Sequence, residues 1–123
     1  MRPKILYVED KPERLFLMKA FLQRKGYEVL TAANGLEALA LAKDGAIELA
    51  VIDFYMPDLN GDVVARRIKA LRPNLPVLIF SGSLSLPDRV MAMVDGFVST
   101  SEDPELLLQK IGEFAPIRRA QAS

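Results

Sequence analysis

Four side chains in this sequence have the types and spacing to do chemistry together. Glu9 and Asp10 follow the apolar run Lys4–Val8, and Asp53 closes a second apolar run over residues 49–53. If those runs are neighbouring parallel strands, three carboxylates meet at one edge of a sheet. Such a cluster repels itself and calls for a counter-charge. A divalent cation with a preference for hard oxygen ligands, Mg²⁺, is the natural one. Ser81 closes a third apolar run, residues 76–80, and brings a hydroxyl to the same edge, where it can donate to an oxyanion. Singly, each has an ordinary structural reading: Asp10 as helix-start chemistry before Pro12, Asp53 as the opening of a turn, Ser81 as a turn serine. Jointly they cost stability unless a cation or a reaction uses them.

The elements that must position these residues follow from hydrophobic periodicity. Lys4–Val8 is a strand. Pro12 then suits a first helical turn, and Leu15, Phe16, Met18, Ala20, Phe21 and Leu22 supply a helical face that ends at Lys25-Gly26. Glu28–Ala32 is a second strand. Asn34-Gly35 could turn a hairpin, but Leu36, Leu39, Ala40 and Leu41 at helical spacing predict a short helix. Residues 49–53 are almost wholly apolar, as in a strand covered on both faces. Gly61–Leu71 is a helix stopped before Pro73, and residues 76–80 are a strand. Residues 83–94 support only a short helix beginning near Pro87, residues 97–99 a weak strand, and Pro104–Phe114 a last helix with Leu106, Leu107, Ile111 and Phe114 at its apolar positions. Strict alternation of strand and helix predicts an α/β doubly wound, five-stranded parallel sheet in the order 2-1-3-4-5. In that order strands one and three flank the switch in winding direction, so Glu9, Asp10 and Asp53 fall where such folds place their sites.

Composition narrows the chemistry. The 123 residues suit one domain, expected over residues 1–115, with a flexible tail over 116–123. At that length no separate effector is expected. Sixteen basic and sixteen acidic residues balance, which argues against nucleic acid and anionic membrane as partners. With no cysteine and no histidine, thiolate chemistry, disulfides, zinc-thiolate sites and imidazole acid/base roles are absent. No signal-like or membrane-spanning run is visible, so a cytoplasmic protein is expected, as a monomer or weak homodimer.

With its acidic pair after strand one, Asp53-Phe54-Tyr55-Met56-Pro57-Asp58-Leu59-Asn60-Gly61 matching Asp-x-x-Met-Pro-x-x-x-Gly, and Ser81-Gly82 after strand four, the chain resembles the receiver domains of two-component response regulators. The likeness covers residues 4–114. It implies a flavodoxin-like receiver fold and a non-enzymatic signalling protein. It implies that Asp53 is the phosphoacceptor for a sensor histidine kinase, with a downstream protein as second partner. Mg²⁺ would be held by Glu9, Asp10, Asp53 and the backbone carbonyl of Tyr55. Ser81 would contact the phosphoryl group and, with Phe97, act as the switch. The sequence departs from the pattern in two places. The lysine usual after strand five, three positions beyond the switch aromatic, is Thr100, and the stretch from Ser81 to Phe97 is short, which trims the fourth helix. A cation about 4 Å from a phosphoryl oxygen contributes a few kcal/mol near a protein surface. Both departures touch the coupling of phosphorylation to output; Lys11 or Arg89 could restore part of the charge.

A second reading is a pseudo-receiver, a scaffold that keeps the fold without phosphoryl transfer; Thr100 favours it and the four intact site residues oppose it. A flavin-binding protein of the same strand order fails on charge, because a phosphate-receiving loop would not begin Glu9-Asp10. A calcium loop at Asp58–Asp62 also fails: its glycine comes too early, and Lys69 stands where the bidentate acid belongs.

Overall fold

The computed structural model describes residues 2–82, 85–99 and 104–117. Thr100 and residues 118–123 of the expected tail lie outside these. The chain alternates β1 (Lys4–Val8), α1 (Pro12–Arg24), β2 (Glu28–Ala32), α2 (Gly35–Leu41), β3 (Ile47–Asp53), α3 (Gly61–Leu71), β4 (Val77–Ser81), α4 (Asp88–Met91), β5 (Gly96–Ser99) and α5 (Pro104–Phe114). All strands pair in parallel in the predicted order, β2-β1-β3-β4-β5. The fourth helix is a single four-residue turn, as the short interval from Ser81 to Phe97 predicts.

The differences from the sequence reading have local causes. β3 starts at Ile47 because the register against β1 shifts between Lys4 and Ile5, so Glu48 interrupts the apolar run without ending the strand. β4 begins after Pro76, which has no N–H for the ladder but still accepts from the Ala50 amide, and runs on through Ser81, which pairs with Ser99. On α1, Leu15, Met18 and Leu22 follow the inward stripe, whereas Phe16 is one step round the helix and faces solvent. Leu36 and Leu106 are likewise exposed.

Two apolar layers cover the sheet. One contains Leu6, Ile52, Val64, Ile68, Ile79 and Val90 under α2, α3 and α4. The other contains Ile5, Leu22, Val51, Leu78, Leu107 and Ile111 under α1 and α5. Burial on both faces is what makes β3 and β4 read as continuous apolar runs. The second layer is closed by Tyr27, whose buried hydroxyl donates to the Ala115 carbonyl at 2.9 Å across 88 residues of chain. Gly26, in the left-handed region at φ 106°, ends α1 and lies under the Ile117 side chain.

Candidate functional site

The carboxyl ends of β1 and β3 bring Glu9, Asp10 and Asp53 together: each offers an oxygen within 4.8 Å of the others. Glu9 is fully buried and Asp53 nearly so. Both oxygens of Glu9 and one of Asp10 are buried with no hydrogen-bond donor. Buried charged oxygens without donors are costly unless a proton or a cation serves them. Among the described residues the cation paired with Glu9 is Arg14, its Nε 3.4 Å from Oε1. Burial, and then the closeness and charge of Asp53, push the Glu9 carboxyl up to about 7, against the pull of Arg14 and the Lys11 backbone. Burial also raises Asp53, while Glu9, the Tyr55 amide and the charge of Lys11 work against that rise. Burial thus disfavours the ionised form of both acids. Orphaned hard oxygens in this arrangement fit Mg²⁺, whose charge would favour the ionised forms.

The loop after β3 is fixed by short-range contacts. The Tyr55 amide donates to Asp53 Oδ1 at 3.2 Å, and the Phe54 amide to the Phe80 carbonyl at 2.9 Å. The Gly61 amide returns to the Phe54 carbonyl at 2.6 Å. A methyl on Gly61 would stand 2.5 Å from the Asp53 carbonyl oxygen, so only glycine lets α3 start this close to the acid. The Tyr55 side chain is exposed and packs edge-on against Phe54.

Ser81 is buried at the end of β4, one register step beyond the Asp53–Phe80 pair. Phe97 is half-buried and pairs with Ile79, so it shares a sheet face with Ser81 and sits diagonally from it. Arg89 is spoken for: its Nη1 is 3.2 Å from Asp62 Oδ2 at the start of α3. Lys11, just before α1, is the basic residue whose charge reaches Asp53.

Sequence reasoning missed two residues here. Arg14 pairs with Glu9 because α1 turns back over the end of β1; its place in the first turns after Pro12 was the available signal. Asp58 accepts from the first two amides of α2, Gly35 at 3.0 Å and Leu36 at 3.1 Å. Desolvation would raise this acid, but the amides of Gly35, Leu36, Leu59 and Asp58 outweigh it and hold its carboxyl below the ordinary value. That pairing spans 23 residues and leaves no local pattern.

The family model of the response regulator receiver domain matches residues 5–111. The chain belongs to that family. This receiver is 30% identical to the transcriptional regulatory protein PrrA of Mycobacterium tuberculosis over 98% of its length, covering 52% of PrrA. It is 32% identical to the response regulator GtcR of Aneurinibacillus migulanus over 98% of its length and 50% of GtcR. The chain thus spans about half the length of these curated relatives. Among solved structures it resembles the response regulator TrrA of Thermotoga maritima, in complex with Mg²⁺ and BeF. The TM-score is 0.85 at 30% identity, covering 91% of this chain and 98% of that one. It also resembles a CheY-like receiver protein of Methanospirillum hungatei, with a TM-score of 0.83 at 32% identity over 92% and 93% of the two chains. Receivers of this family are signalling modules of two-component systems that work with histidine kinases and bind Mg²⁺ at an acidic site. Among the described residues no helix is long and apolar enough to cross a membrane.

Proposed function

We propose that this receiver takes a phosphoryl group onto Asp53 from a histidine of a sensor kinase, with Mg²⁺ held by Glu9, Asp10, Asp53 and the Tyr55 carbonyl, and signals through protein contacts. The observation that carries the reading is the convergence of three carboxylates, among which both oxygens of Glu9 and one of Asp10 are buried without a donor. The Mg²⁺ and BeF bound by TrrA support it by analogy.

In the reaction an Asp53 carboxylate oxygen attacks phosphorus, and the bond from phosphorus to the donor's nitrogen breaks, leaving an acyl phosphate. Mg²⁺, when bound, neutralises charge on the transferring group and on the acids. Asp53 must be ionised to attack, and its contacts with the Tyr55 amide and the field of Lys11 favour that form. Glu9 must release its proton to serve as a ligand. Ser81, at the adjoining strand end, donates its hydroxyl to a phosphoryl oxygen, and Phe97 on the same face follows its movement. Lys11 supplies part of the positive charge that the family's usual lysine would bring at Thr100.

The test is intact-mass spectrometry after incubation with Mg²⁺ and acetyl phosphate. One added phosphoryl group is expected, absent without Mg²⁺ and absent in Asp53→Asn. A folded protein that binds Mg²⁺ and never gains the group would instead make this a scaffold that retains the fold alone.

A further inference from the structure

Between α2 and α3 the surface carries an apolar groove of about 500 Å³ that the phosphoacceptor site does not use. One wall is Leu36 and Ala40 of α2 with Lys43 just beyond its end, and the other is Arg67, Ala70 and Leu71 of α3. Leu36 is 63% exposed and Leu71 49%, and both alanines are exposed between them. Leucines so open, on helices that had inward positions available, are not explained by folding. The groove is too open to enclose a small molecule, whose surface a pocket would have to cover almost completely. It suits a rod. Two helix walls with small alanines between their leucines admit a third helix at close range, its own apolar side chains filling the space over Ala40 and Ala70.

Charge selects the kind of helix. Lys43 and Arg67 both line the groove, and neither has an ion-pair partner among the described residues. In a chain whose charges balance overall, two unpaired cations flanking an apolar floor are a local excess of one sign. A second copy of this chain docked about a twofold axis would bring the same cations against themselves. A flat anionic membrane would reach the rims but leave the floor unfilled. We infer that the α2–α3 groove docks an amphipathic helix of a partner protein whose apolar stripe is flanked by acidic residues. The inference goes beyond the role of Asp53 and does not rest on it, because the groove is formed in the unmodified protein.

The experiment titrates the unphosphorylated 123-residue chain, ¹⁵N-labelled, with a synthetic helical peptide carrying leucines at i, i+3/i+4 and i+7 and glutamates beside them. A control peptide has lysine for each glutamate. Saturable binding is expected, with amide shifts centred on Ala40, Lys43, Arg67 and Ala70. The control should bind about tenfold or more weakly, as should the Lys43→Glu/Arg67→Glu variant, since two exposed ion pairs are at stake. Ala40→Phe, on the exposed surface, should block the groove without reversing charge. Equal binding of the two peptides overturns the inference, as does no saturable binding or shifts centred elsewhere. So does self-association abolished by Arg67→Glu, or adsorption to phosphatidylserine vesicles through these same amides. Each of these outcomes leaves the Asp53 reading standing, which mass spectrometry tests separately.

Discussion

At the scale of single residues, the site is governed by Glu9. Its carboxyl is raised from 4.5 to about 7, so folding disfavours the ionised form. Without metal, this group leaves the fold most stable below its unfolded value of 4.5. Stability then falls as pH rises through about 7 and levels off above. At about 1.36 kcal/mol per unit the loss is at most about 3 kcal/mol, less whatever solvent screening removes. Mg²⁺ replaces the proton and offsets this loss, so its stabilisation should grow with pH. Urea denaturation with and without Mg²⁺ at about pH 5 and about pH 8 measures this, with the larger difference expected at the higher value. An equal Mg²⁺ effect at both would mean that folding does not raise the Glu9 carboxyl. Arg14, half in solvent, is a weak rival to the metal, since it reaches only Glu9 and only at 3.4 Å.

At the scale of elements, the loop from Asp53 to α3 is where packing leaves least freedom. Gly61→Ala places a methyl 2.5 Å from the Asp53 carbonyl oxygen and 2.8 Å from Phe54 Cα, both backbone atoms that cannot swing aside. We expect a loss of about 1–3 kcal/mol in urea denaturation and weaker Mg²⁺ binding, because the shift falls on the strand end that carries Asp53. A loss of stability with unchanged Mg²⁺ affinity would show that the strand end is insulated from α3. The elements themselves were legible. Alternation of apolar runs and helical stripes gave β1, β2, α3 and α5 with their observed limits, and the strand ends gave the meeting of Glu9, Asp10 and Asp53. What could not be read was decided by pairing. The β3 start depends on a register shift against β1, and the outward turn of Phe16, Leu36 and Leu106 depends on which side of each helix meets the sheet. Arg14 and Asp58 act on residues brought near only by the fold. Arg89 reads as a spare cation until Asp62 is seen beside it.

For the molecule as a whole, the sheet separates two cores, and the two sides do different work. The α1 and α5 side is tied by the Tyr27 hydroxyl to the end of the last helix and frames Glu9 through Arg14. The other side carries the short α2 and the single-turn α4, both with little stability of their own. Seven residues are too few to hold a helix unaided, and α2 begins on two borrowed acceptors: Asn34, which receives the Glu37 amide, and Asp58. Asp58 is rooted in the chain segment that leaves Asp53. The start of α2 is therefore moored to the loop beside the acidic cluster, and its first amide protons act as gauges of that loop. Hydrogen exchange at Gly35 and Leu36 should slow on Mg²⁺ addition if the ion tightens the loop further, and Asp58→Ala should raise it and remove its response to the ion. Unchanged exchange in that variant would cut the mooring. A residue pair far from Asp53 in sequence thus offers a readout of its state that needs no knowledge of the partner.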